Sequence, residues 1–199
     1  MIQKSYLPII FMLFAHAVNA QIAGTSSYDS LSGKSFEYLS QASNTAVNDS
    51  IRLHIYLKAW RGKAKKEKEY GQLALAYKAM IYQDDKKHRL SYADSMVVAA
   101  KKAGDIELVG SSFMTRGIVH YDRKEHMKAL DNYLIADQYI TQTDNEYLAY
   151  KIKYGIAQTK YYLGFYDEAI ALLRECIDFF KEENDRAYLN SLHSLGLCY

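Results

Sequence analysis

The sequence predicts an all-α fold: a right-handed α-solenoid of stacked antiparallel helix pairs. Three observations lead there. Good helix N-cap residues recur at a fixed step, Asp105, Asn145 and Asp185 standing 40 residues apart; a side-chain oxygen at such a position accepts from an orphan N–H of the helix that follows. Small residues recur in the same phase, Ala169 stepping back to Ala129 and Cys176 to Ala136. Helices that cross closely need small residues at the crossing and large ones beside it, and a fixed period of this length is the mark of a stacked array. Finally, the only proline is Pro8, close to the start of a 199-residue chain that is 49% hydrophobic and 24% charged, a composition that suits helices with a sizeable core.

The chain begins with a pattern that reads as a secretory leader over residues 1–20. Lys4 supplies the positive start, Tyr6 to Ala15 the apolar run, and Val18-Asn19-Ala20 the cleavage signal before Gln21. The alternative is a membrane anchor, but the run covers ten residues, whereas a span takes roughly 20. No cysteine stands at the cleavage site, so lipid attachment there is excluded.

Residues 21–66 are expected to form an N-terminal helical cap or degenerate repeat. Ser27 is placed to cap a helix from about Tyr28 to Ala42, broken by Ser43-Asn44. A second helix follows from about Val47 to Lys65, with Ile51, Leu53, Ile55, Leu57, Ala59 and Trp60 inside. Terminal units of such arrays are often atypical because one face meets water. The basic stretch Lys58 to Lys68 is read as a solvated helix end.

The repeats proper run over residues 67–199, as units of about 67–104, 105–144, 145–184 and an incomplete 185–199. The first pairs a helix from Glu67 to Tyr82 with one from Lys87 to Ala103, and Gly104 suits the residue just past the helix end. Asp105 opens a helix to Tyr121, the turn Asp122-Arg123-Lys124 follows, and His126 to Ile140 is the return helix. Asn145 opens a helix to Leu163, Gly164 turns, and the return helix ends near Lys181; in it Ala169 and Cys176 are the small residues, with Tyr166, Leu173 and Ile177 as filler. Asp185 opens a last helix reaching Tyr199.

Gly164, Tyr166, Asp167-Glu168-Ala169 and the stripe behind them, together with Leu195, Gly196 and Tyr199, resemble the tetratricopeptide repeat. The resemblance covers about Glu67 to Tyr199. It departs in length, since that family's unit is about 34 residues, and in lacking the family's proline after the second helix, where Lys101, Thr141 and Lys181 stand. Long proline-poor repeats behind a leader also resemble the exported sensor region of bacterial AraC-type helix-turn-helix regulators or histidine kinases. That likeness implies a periplasmic sensor whose transmembrane helix and output domain would lie downstream, and the last unit, lacking its second helix, is read as a fragment's edge. The alternative is a complete periplasmic scaffold or assembly factor without signalling output.

What the resemblance implies for a site is a groove lined by the first helix of each unit: Lys78, then Met114, Ile118 and Tyr121, then Lys151, Tyr154, Gln158 and Tyr161. Tyr rings offer contact area at little entropic cost and Lys reaches a carboxylate, so the expected partner is a protein or peptide. The net charge of +2 gives no reason to expect nucleic acid; any membrane attachment would run through a downstream segment. No cofactor, metal or catalytic set is expected. No two histidines have the His-Glu-x-x-His spacing, and the glycines are scattered rather than gathered in a phosphate loop. His120 and His126, near Asp122 and Glu125, are read as surface histidines at a turn rather than as weak metal ligands. Cys176, on a small-residue position, is expected to be a buried free thiol; a bond to Cys198 is the alternative.

Overall fold

The computed structural model describes residues 31–83, 86–183 and 186–199. They form no strand, and their helices pack in adjacent antiparallel pairs. The nine α-helices of the described residues are α1 (Phe36–Thr45), α2 (Ser50–Glu67), α3 (Tyr70–Gln83), α4 (Arg89–Ala103), α5 (Ile106–Asp122), α6 (His126–Ile140), α7 (Glu146–Tyr162), α8 (Tyr166–Glu183) and α9 (Arg186–Gly196). The chain divides into two compact units, Met1–Lys63 and Ala64–Tyr199. The leader and Ser27 lie outside the described residues, as does Asp185.

In the first unit, the expected single helix to Ala42 is interrupted. Lys34 N–H donates to the Leu31 carbonyl at 3.1 Å, and Ser35 then caps α1 by accepting from Tyr38 N–H at 3.1 Å. Ser43 does not break this helix: it is buried inside it and its hydroxyl donates to the Ser40 carbonyl at 2.7 Å. Asp49 starts α2 by accepting from Arg52 N–H at 3.1 Å, three residues later than the apolar pattern suggests. Ile51 therefore faces solvent, while Leu39, Leu57 and Trp60 are buried.

In the second unit, α3 pairs with α4, α5 with α6, and α7 with α8, while α9 lies on α8. The caps explain the phase. Asp105 accepts from Leu108 N–H and Asn145 from Leu148 N–H, each at 2.9 Å. The 40-residue step holds from α5 to α7 and from α6 to α8 at their starts, but not one unit earlier. In α4 the buried Ala93 and Ala100 stand 36 positions before Ala129 and Ala136, while Arg89, 40 positions before Ala129, opens the helix and pairs with Asp122 at 2.8 Å. The first repeat of this unit is thus shorter. Gly104 ends α4 at φ +74°, as the sequence predicts, and Gly164 turns between α7 and α8 at φ +85°, a left-handed conformation that suits glycine.

The core row of α8 is Ala169, Leu173, Cys176 and Phe180, all fully buried. Tyr166, expected as filler, is instead exposed, and Phe180, one turn beyond Cys176, fills the core at the other end of the row. Both cysteines are free thiols. Burial pushes the Cys176 thiol up to about 12. His120 is buried rather than on the surface.

Candidate functional site: a groove along the first helices

The first helices α3, α5 and α7, with α9 beyond them, turn one face into two adjoining hollows of about 680 and 550 Å³. Lys78, Met114, Tyr147 and Lys151 belong to the walls of both. Lys78 and Met114 stand 36 positions apart and Met114 and Tyr154 another 40, so the shortened first unit keeps equivalent residues in line.

The two hollows differ in charge. The larger runs toward the helix starts, where Glu69, Asp105 and Glu107 form its rim. The carboxylates of Asp105 and Glu107 are already engaged, Asp105 as the α5 cap and Glu107 accepting from Asn145 Nδ2 at 2.6 Å. The smaller hollow is walled by Lys78, Lys151 and Arg186 and by the rings of Tyr133, Tyr147 and Tyr154, with no carboxylate among the described residues that line it.

Lys78 donates to Ser111 Oγ at 3.3 Å. Burial, and then the nearby Lys151 charge, lower its pKa, so the pair is set against its own repulsion. Lys151 Nζ lies 5.3 Å from the Tyr147 ring centre, a cation over an aromatic face. Tyr154 Oη shares a hydrogen bond with Ser194 Oγ at 3.1 Å, and Gln158 Nε2 donates to Tyr154 Oη at 2.6 Å. These contacts tie α7 to α9, and burial raises the Tyr154 phenol.

Six of the eight residues expected at the groove therefore line these hollows: Lys78, Met114 and Lys151 in both, Ile118, Tyr154 and Gln158 in the smaller. Tyr121 and Tyr161 stand at the far ends of α5 and α7 in a cluster of rings. Tyr121 meets Tyr162 edge-on at 5.6 Å, Tyr161 meets Tyr162 at 5.2 Å and Tyr166 at 5.7 Å, and His126 stacks on Tyr162 at 4.8 Å. Theirs is packing at the turn edge.

Tyr133, Tyr147 and Arg186 also line the groove without having been expected there. Tyr133 comes from the second helix α6. It reaches the groove because α5 and α7 both present glycine to it: a Cβ on Gly117 would lie 2.7 Å from its ring and one on Gly155 2.9 Å. Two mid-helix glycines facing one aromatic from a neighbouring helix were the signal for this residue in the sequence. Tyr147 follows from helix geometry, standing one turn before Lys151 on the same face.

Chemically, two ammonium groups beside a carboxylate-free, ring-lined hollow can hold an anionic group and stack a flat one. Among the described residues no three His, Cys, Asp or Glu converge to hold a metal, and no helix is long and apolar enough to cross a membrane. No protein-family model matches this sequence. No curated protein matches it either.

Proposed function

We propose that this chain is a non-catalytic helical-repeat module that binds a protein or peptide along the first-helix groove, with an acidic group of the ligand held between Lys78 and Lys151. The observation that carries this reading is that pair. The two lysines wall both hollows, nothing negative lines the smaller one among the described residues, and burial makes Lys78 lose part of its preference for charge. A carboxylate would relieve the repulsion, and the rings beside it would stack an aromatic neighbour. The leader-like start and the tetratricopeptide-like spacing support an exported, periplasmic module of this kind. Their joint likeness to sensor regions favours the input part of a membrane-anchored regulator or kinase over a free scaffold.

The test is selection of a random displayed peptide library on the immobilised protein, followed by anisotropy titration of the enriched peptides. Acidic sequences with an aromatic residue should enrich. Lys151→Glu should weaken their binding at least tenfold while the circular dichroism stays that of the wild type. Enrichment of sequences without acid, or binding indifferent to Lys151→Glu, would remove the groove assignment.

A further inference from the structure

Lys78 differs from Lys128, Lys153 and Lys160 in what faces its amine. Those three each have a carboxylate partner, Glu125, Glu175 and Glu168. Lys78 has a hydroxyl instead, Ser111 Oγ at 3.3 Å, in a residue only 9% exposed. A hydroxyl can accept from an ammonium or donate to a free amine, so it does not hold lysine in the charged form as a carboxylate does. The acidic residue at the start of its own helix, Glu69, stands nine positions earlier, roughly 13 Å away at the ordinary helical rise. Burial first, then the like charge of Lys151, favour the free base. An amine taken out of water beside a second cation is the arrangement that makes lysine a nucleophile toward carbonyl carbon.

The smaller hollow supplies the rest of a site. At about 550 Å³ it has the size that takes one small organic molecule. Tyr133, Tyr147 and Tyr154 line it, and a flat ring can stack against such side chains. Lys151 and Arg186 share its wall, and no carboxylate does among the described residues. With Lys78 uncharged, these two cations match a phosphate monoester, which carries about −1.5 to −2 at neutral pH, and the guanidinium fork suits its oxygens.

We propose that this hollow binds a phosphorylated aromatic aldehyde and that Lys78 captures it reversibly as an imine. The Nζ lone pair attacks the carbonyl carbon, the C=O π pair moves to oxygen, and a proton passes through water from nitrogen to that oxygen, giving a carbinolamine. The carbinolamine hydroxyl takes a proton from solvent and leaves as water. The nitrogen pair closes the C=N bond, and the remaining N–H proton returns to solvent. Amine and aldehyde become imine and water, and nothing is oxidised or reduced. This goes beyond the peptide reading and does not rest on it: a peptide carboxylate needs Lys78 charged, whereas the imine forms from its free base.

Pyridoxal 5′-phosphate is the probe, added to the intact chain and followed after a short interval by borohydride, which reduces the imine to a stable secondary amine. Peptide mapping by mass then locates the label. Lys78 should be labelled at least tenfold faster than the exposed Lys66 and Lys124. Inorganic phosphate, at constant ionic strength, should slow labelling at Lys78 and leave the other two unchanged. The uncharged 4-methylbenzaldehyde should lose the preference for Lys78. Lys151→Met should cut labelling at Lys78 at least fivefold while the circular dichroism stays that of the wild type. Labelling of Lys78 no faster than that of Lys66 would overturn the proposal. So would a preference for Lys78 that survives inorganic phosphate or is equal with 4-methylbenzaldehyde, because the phosphate would then have no place in the hollow.

Discussion

At the scale of single residues, Tyr133 is where core packing meets the candidate groove. Its ring is held between two glycines on different helices, so it cannot yield to either side. An alanine in a helix is ordinarily more favourable than glycine by up to about 1 kcal/mol. At Gly117 and Gly155 the added methyl meets the ring well inside van der Waals distance, and overpacking of this kind costs about 1–3 kcal/mol. Gly117→Ala and Gly155→Ala should each lower the urea midpoint, whereas Gly71→Ala, where a Cβ meets nothing, should leave it unchanged or raise it. Equal midpoints for all three would show that the ring moves freely. Lys78, Met114, Lys151 and Tyr154 were legible in the sequence because repeat phase fixes which helix face a residue occupies. Tyr133 was not, because repeat phase carries no information on how far a ring reaches between two glycines. Tyr121 and Tyr161 failed for the complementary reason: phase put them on the groove face, but position at the helix end gave them to the ring cluster instead.

Among elements, helix positions in the second unit were legible within about one turn, because caps and glycines mark helix ends by hydrogen-bond demand. His126–Ile140 needed no adjustment. The first repeat of that unit was less legible: a shortening from 40 to 36 residues leaves every helix in place but shifts the phase, and the packing of Ala93 and Ala100 reveals it. The two inter-helix turns also solve one problem differently. The α7–α8 turn uses Gly164 and closes with the Lys160–Glu168 pair. The α5–α6 turn places Lys124 at φ +61° without glycine and is held by Glu125, which accepts from His120 Nδ1 at 2.8 Å, Arg123 Nε at 2.9 Å and Lys128 Nζ at 3.3 Å. The His120 bond first, then the Arg123 bond, hold the Glu125 carboxyl down at about 2. A carboxyl depressed on folding stabilises the fold while it is ionised in both states, and that contribution disappears as pH falls from the ordinary value of 4.5 toward the folded one. Glu125→Gln should therefore be less stable than the wild type at pH 7, and the gap between their urea midpoints should close as pH falls from about 4.5 toward 2. A gap that stays constant over that interval would assign the loss to shape rather than charge.

For the molecule as a whole, the pattern of contact in residues 64–199 decides how it opens. Each helix packs chiefly on the next, and beyond that first helices touch first helices. In such an array stability is close to a sum of local and nearest-neighbour contributions, so opening free energies should vary along the chain rather than share one value. The α5–α6 pair has neighbours on both sides and α5 is buried along most of its length, while α9 rests on α8 and more lightly on α7. Amide hydrogen exchange should accordingly be slowest in α5 and α6 and fastest in α9, with α7 and α8 between. A groove ligand bridging Lys78 and Lys151 should slow exchange in α3, α5 and α7 together. Uniform protection from α3 to α9 would contradict the nearest-neighbour picture, because it would require a coupling across the array that these contacts do not provide.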